Sequence, residues 1–243
     1  MVFGRNPVME MLRGSAAAVR ELYVAEGSQG VEAILAEARV SGIRIERVAR
    51  QVLDGLVAGG HHQGIAVRTK PVAFVAIEDI IARAPSLFVA LDGIQDPQNL
   101  GAIIRAAEVL GAGGVMLPKD RSAGVTAAAI RASSGAAIHL PIAQVVNLAR
   151  ALVDLKAAGY WSVGLDAGGT SRFQDLPTIE RAVVVVGAEG RGIRPLVARA
   201  CDFTVAIPVR GRVASLNAAT AAAIALYEMA ARVLPDPSGG PVR

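Results

Sequence analysis

The rhythm of apolar and polar positions changes near residue 70. Before that point the apolar segments are short. Residues 20–24 read as a strand, and 43–48 alternate apolar and polar side chains as a strand does. Between them, 29–41 put Val31, Ile34, Leu35 and Ala38 on one helical face. Residues 52–56 read as a short helix and 65–68 as a closing strand. The loop Gly59-Gly60-His61-His62-Gln63-Gly64 joins the two. Lys70-Pro71 breaks the pattern and opens a linker with one short helix.

From Leu87 onward the apolar segments become continuous. Strands are predicted at 87–91, 114–117, 160–165, 182–187 and 203–207, and helices at 100–110, 125–132, 144–158, 195–200 and 215–233. A run such as Val183, Val184, Val185 and Val186 has no polar face. It belongs in a parallel sheet with helices on both sides. The expected fold class is α/β. A small α/β unit over 1–69, a linker over 70–86, a parallel-sheet domain over 87–233 and a disordered tail over 234–243 make up the expected domains.

Composition narrows the classes. The 243 residues are 53% hydrophobic and 19% charged, which supports a packed core and excludes a disordered chain. No uncharged apolar run approaches the ~20 residues of a membrane span. Arg5, Glu10 and Arg13 interrupt the start of the chain, so no secretory signal is expected and the expected setting is cytoplasmic. Cys201 is the only cysteine, and His61, His62 and His139 are the only histidines, so no metal site is expected. The net charge is +4, carried mostly by arginine. Excess base suggests a polyanionic partner, but taken alone it does not separate RNA or DNA binding from a compositional bias.

Three segments carry candidate chemistry, each at the C-terminal end of a predicted strand, where open α/β sheets bind ligands. The first is Leu91-Asp92-Gly93-Ile94-Gln95-Asp96-Pro97-Gln98-Asn99-Leu100-Gly101, running on to Arg105. It turns at Asp96-Pro97 and enters a helix capped near Asn99. Gly101 leaves room for a backbone or a ligand to come close. The second is Gly187-Ala188-Glu189-Gly190-Arg191-Gly192, whose G-x-x-G-x-G spacing differs from the dinucleotide G-x-G-x-x-G and argues against a nicotinamide-dependent oxidoreductase. The third is Ile207-Pro208-Val209-Arg210-Gly211-Arg212-Val213-Ala214-Ser215-Leu216-Asn217, in which Ser215 is a natural N-cap for the last helix. Each segment also has a plain reading as a turn or a cap.

Together, LDGIQDPQNLGAIIRAAE, VVVVGAEGRGI and IPVRGRVASLNAATAAAIALYE resemble the three motifs of the SpoU/TrmH methyltransferases of the SPOUT class. The resemblance covers about residues 87–233. VFGRNPV and HQGI (62–65) resemble the ribosomal-protein-like RNA-binding domain of the rRNA branch, His61 being one histidine more than the family pattern. PKDRS resembles the branch that methylates a 23S rRNA guanosine on its ribose 2′-oxygen. The resemblance departs at Ala218-Ala219-Thr220, where relatives more often carry a β-branched residue and Ser.

The resemblance implies a C-terminal trefoil knot and S-adenosylmethionine as methyl donor, without a metal. It assigns donor binding to Gly187, Ile207 and Leu216, with Gly164, Leu165, Ala188 and Val209 as neighbours. The catalytic set it implies is Asn99, Arg105, Glu189, Ser215 and Asn217, in a site formed across a homodimer interface. Arg105 stands where the family has a proposed base. A guanidinium with a pKa above about 12 suits a phosphate anchor and a stabiliser of developing charge better. Arg5, Arg68, Arg121, Arg210 and Arg212 are candidate RNA phosphate contacts. The expected partner is 23S rRNA or an assembling large ribosomal subunit, with no membrane. A tRNA, another rRNA site, or a non-catalytic assembly factor of the same fold are the alternatives.

Overall fold

The computed structural model describes residues 1–213 and 215–233, without the side chains of Ser15 and Ala17. The expected tail, 234–243, lies outside the described residues. The N-terminal unit runs β1 (Val2–Phe3), α1 (Arg5–Ser15), β2 (Val19–Ala25), α2 (Glu32–Val40), β3 (Arg44–Val48), α3 (Arg50–Leu56) and β4 (Ile65–Thr69). Its sheet order is β1-β4-β2-β3, with β2 and β3 parallel and β4 antiparallel to both of its neighbours. Strand β1 and helix α1 were not among the expected elements. The helix starts without a side-chain cap of its own, behind Gly4 at φ +94°. The Arg5 N–H is instead satisfied by Gln63 Oε1 at 2.9 Å, across the unit. Val8, Met11 and Leu12, at helical spacing, are buried.

The C-terminal part runs α4 (Ile77–Ala82), β5 (Leu87–Asp92), α5 (Pro97–Val109), β6 (Val115–Pro118), α6 (Ala127–Ala132), α7 (Ala136–His139), β7 (Ile142–Val145), α8 (Leu148–Ala157), β8 (Trp161–Leu165), β9 (Ala182–Gly187), α9 (Pro195–Ala200), β10 (Phe203–Val205) and α10 (Ala218–Val233). Its six strands are all parallel in the order β10-β8-β9-β5-β6-β7. Strand β7 corrects the expectation of one helix over 144–158. Gln144 and Val145 pair with Leu117 and Pro118, and the helix begins only after Asn147, whose Oδ1 accepts from the Arg150 N–H at 3.1 Å.

The chain leaves the centre at β5 toward β6 and β7, then returns to the other side through β8, β9 and β10. β5 and β9 are neighbours, so their C-terminal ends mark a topological switch point. Both strands are buried throughout. Helix α5 buries Leu100, Ile103, Ile104 and Ala107. Gly101 faces α6 so closely that a Cβ would lie 2.5 Å from the Ala129 carbonyl oxygen and 2.5 Å from the Ala132 Cβ. The close approach expected at Gly101 is therefore made by another helix. The two units share one apolar core, in which Val8, Met11 and Leu12 join Ala137 and Leu140. The Arg131 guanidinium, 4.3 Å from the Phe3 ring centroid, adds a contact at the same seam.

Candidate functional site

The segment after β5 is shaped by Asp92, whose carboxylate is fully buried. A buried carboxylate needs a partner. Arg194 supplies one: its Nε donates to Asp92 Oδ1 at 2.7 Å, its Nη2 lies 2.6 Å from the same oxygen, and its backbone N–H donates to Oδ2 at 2.7 Å. This clamp ties the loop after β9 to the end of β5. Asp96, not Asn99, caps α5: its carboxylate accepts from the N–H groups of Gln98 at 3.0 Å and Asn99 at 3.4 Å, with Pro97 in the first turn. The Asn99 side chain is thereby left available to the site.

The loop after β9 closes on itself. Ala188 N–H donates to the Gly192 carbonyl at 3.1 Å and Gly192 N–H to the Ala188 carbonyl at 2.8 Å, which puts Glu189, Gly190 and Arg191 at the tip. Gly190 and Gly192 take φ of +75° and +64°. At Gly187 a Cβ would lie 2.1 Å from the Gly192 carbonyl carbon, so only glycine fits.

The third segment brings Asn217 to the same place. Its Oδ1 accepts from the Ala219 N–H at 2.8 Å and from the Thr220 N–H at 3.4 Å. Asn217, not Ser215, therefore caps α10. Its Nδ2 donates to Asn99 Oδ1 at 2.9 Å, and Asn99 Nδ2 donates to Glu189 Oε2 at 3.3 Å. The order is directional. The helix amides fix the Asn217 oxygen, and an ionised Glu189 can only accept. Each amide in the chain consequently has a single workable orientation.

Two cavities meet at this chain. One, of about 340 Å³, is lined by Leu165, Val186, Gly187, Ala188, Glu189, Ile207, Val209, Ser215 and Leu216, among others. Of the seven expected donor-binding residues, Gly164 alone does not line it. A Cβ at Gly164 would face Ile193 and Cys201 in the core instead. The second cavity, of about 370 Å³, is lined by Asn99 and Glu189 and by Arg121, Arg191 and Arg194. Ala188, Glu189 and Gly192 border both.

The other expected residues are dispersed. Arg105 is six residues after Asn99 on α5, about 120° away around the helix. It lines a separate cleft with Asn6, Glu10 and His139, where the two units meet. Arg210 and Arg212 are exposed in the loop before α10. Arg68 lies over the Tyr23 ring, 5.4 Å from its centroid, and Arg5 lines a cavity of the N-terminal unit. His62 is buried beside Asp54, Nε2 to Oδ1 2.9 Å. The sequence reading missed Asp92, Arg191 and Arg194. An acid ending a wholly apolar strand was the available signal for Asp92, because such an acid has to be paired.

Burial pushes the Cys201 thiol up to about 12, with the charges of Asp202 and Asp92 adding to it. Burial also acts to raise the Asp202 carboxyl. The Lys156 ammonium and the Ser162 N–H and hydroxyl outweigh it and hold that carboxyl below the usual carboxylate range. This network fastens the start of β10 to β8, at the opposite end of the strands from the candidate site.

Among the described residues no helix is long and apolar enough to cross a membrane.

Comparison with known proteins agrees with this architecture. A family model described as the SpoU rRNA Methylase family matches residues 86–227, and one described as RNA 2′-O ribose methyltransferase substrate binding matches 1–75. A protein of Mycobacterium ulcerans named as an uncharacterized tRNA/rRNA methyltransferase is 45% identical over 236 residues, covering 94% of this chain and 76% of its own length. The AdoMet-bound rRNA methyltransferase of Sinorhizobium meliloti superposes with a TM-score of 0.77 at 26% identity, covering 96% of this chain and 87% of that one. The SpoU methyltransferase AviRb of Streptomyces viridochromogenes, in complex with AdoMet, gives 0.75 at 26% identity, covering 95% and 88%. This chain belongs to the SpoU family of RNA methyltransferases.

Proposed function

We propose that the protein transfers a methyl group from S-adenosylmethionine to a ribose 2′-hydroxyl of RNA, with a guanosine of 23S rRNA as the target, in the cytoplasm. The observation that carries this reading is the junction of two unlike cavities at Glu189, to which Asn99 and, through it, Asn217 are hydrogen-bonded. One is walled by Leu165, Val186, Ile207 and Leu216, which suits an adenosine face, and carries Glu189 at its mouth for a cationic group. The other carries Arg121, Arg191 and Arg194 beside Asp92, Asp96 and Glu189; Arg194 is taken up by Asp92, which leaves Arg121 and Arg191 to meet a phosphodiester. The donor, when bound, supplies an electrophilic sulfonium methyl.

In this reading the Asn217–Asn99–Glu189 chain holds the target ribose beside the donor cavity. Arg121 and Arg191 take up flanking phosphates, and Ser215 shapes the donor loop. The ribose 2′-oxygen forms the new bond to the methyl carbon as the methyl–sulfur bond breaks and the neutral thioether leaves. The hydroxyl proton passes to solvent water, and the negative charge that grows on the oxygen meanwhile needs a fixed cation nearby. Arg105 of the same chain lines another cleft, so we assign this role to Arg105 of the partner subunit in a homodimer. Tyr227 at 66% exposure, Ile224 at 37% and Leu216 at 39% supply an apolar surface beside the site for that partner. The domain limits 1–69, 70–86 and 87–233 belong to the same proposal, the first unit binding RNA, with 23S rRNA or an assembling large subunit as partner. So does the trefoil knot. The loop after β8 passes close against the end of β10, where a Cβ on Gly169 would lie 2.6 Å from the Val205 carbonyl carbon, and this leaves the chain close enough there for threading.

The test is methyl transfer from isotopically labelled S-adenosylmethionine to transcribed 23S rRNA, with tRNA as the comparison. Label in 23S rRNA alone is expected. Label in tRNA alone would overturn the substrate, and label in neither would favour a ribonucleoprotein substrate or a non-catalytic role.

A further inference from the structure

The loops of the N-terminal unit border an open surface hollow of about 490 Å³ that the methyl-transfer chemistry does not use. Arg5, Arg50, His61 and Gln63 line it, and among the described residues no Asp or Glu does. Arg5 is held in place, its Nη2 donating to the Gln29 carbonyl at 2.6 Å. The Arg50 and His61 side chains are exposed and make no hydrogen bond or ion pair with any described residue. Two guanidiniums with no carboxylate in the lining constitute a standing demand for an anion.

The walls are built before any ligand arrives. His62, behind the cavity, is 3% exposed. Its Nδ1 accepts the Gly64 N–H at 3.0 Å, so its proton sits on Nε2 and is donated to Asp54 Oδ1 at 2.9 Å. Ser28 Oγ donates to the Gly64 carbonyl at 3.3 Å and ties the two loops together. Gln63 and Gly64 take φ of +54° and +82°, and a Cβ on Gly64 would lie 2.2 Å from Ser28 Oγ. Gln63 Oε1 in turn holds the Arg5 backbone. The left-handed turn at Gln63, held beside a buried histidine, fixes the lining side chains in place.

We propose that this cavity is a subsite for one phosphodiester and its splayed nucleotide in a single-stranded stretch of RNA, anchoring the substrate away from the methyl-transfer site. The inference rests on the RNA reading above and adds where the N-terminal unit grips. Among the described residues no Phe, Tyr or Trp lines the cavity, so recognition falls chiefly to the guanidinium forks and to the imidazole and amide donors.

The experiment measures fluorescence anisotropy of a labelled single-stranded RNA with the full chain. Arg50→Glu and His61→Glu are the variants, because both side chains are unpartnered and their change leaves the packing intact. Arg39→Ala, on exposed α2 surface outside the cavity, is the control. The expected result is a loss of affinity of about tenfold or more for each variant, with the control within about twofold of wild type. Arg50→Ala should also lower the slope of log affinity against log salt by about one. Wild-type binding that survives Arg50→Glu and His61→Glu would overturn the subsite and leave the RNA reading standing. A wild-type chain that binds no RNA would overturn both.

Discussion

Asp92→Asn removes one charge and almost no volume, at the point where the loop after β9 is tied to β5. The native carboxylate is fully buried and accepts from the Arg194 backbone N–H and guanidinium at 2.6 to 2.7 Å. The amide can offer one oxygen, so its NH2 faces either the guanidinium or the backbone N–H, donor against donor. Losing one charge-assisted hydrogen bond costs about 1.5–3 kcal/mol, and breaking a wholly buried pair about 3–5 kcal/mol. The Arg194 side chain is 45% exposed and regains water, which trims the larger figure. The expectation is about 2–3 kcal/mol of lost stability, or a Tm lower by about 4–12 °C for a chain of this length. Urea unfolding should show a lower midpoint at unchanged slope. Affinity for S-adenosylmethionine should fall too, because Gly187, Ala188, Glu189, Gly190 and Gly192 border the donor cavity. A variant within about 0.5 kcal/mol of wild type, with unchanged donor affinity, would refute the clamp.

Three further outcomes are expected. Asn99→Ala and Arg105→Ala should each abolish methyl transfer while leaving the fold intact, and mixing the two inactive chains should restore roughly a quarter of the activity by forming one complete site per mixed dimer; no recovery would place Arg105 in the same subunit's site or outside the chemistry. Cys201, with its thiol pushed up to about 12, should resist iodoacetamide at pH 8 in the native protein and react once unfolded, which mass spectrometry reads directly. Asp202 has a folded-state pKa below its unfolded value, so its stabilisation is present above about pH 4 and lost as pH falls through the folded pKa; Asp202→Asn should be less stable at pH 7 and should flatten the acid limb of stability against pH, and an unchanged acid limb would contradict this.

Much of the parallel-sheet domain was legible because burial on both faces leaves a sequence trace. Ala182–Gly187 and Pro195–Ala200 fall where the apolar pattern puts them. The elements that escaped notice owe their start to distant groups or are very short. Helix α1 borrows its cap from Gln63, 58 residues away, and β7 is four residues set against an adjoining helix that shares its apolar character. The caps were misread for a related reason. Asp96 and Asn217 each stand near another residue able to cap, and local spacing alone does not choose between Ser215 and Asn217. The three motifs were visible in order, and the resemblance named their polar residues. That Asn99 links Asn217 to Glu189, and that Arg194 clamps Asp92 across 102 residues, are long-range pairings no local pattern encodes. Arg105 shows the converse: the motif groups it with Asn99, while the helix turns it toward another cleft.

The most direct measurement is nucleoside mass spectrometry of 23S rRNA after reaction with the purified protein and S-adenosylmethionine carrying a deuterated methyl group. The account predicts 2′-O-methylguanosine bearing the label, lost with Asn99→Ala. A label found on a base, or persisting undiminished in the Asn99→Ala variant, would contradict it.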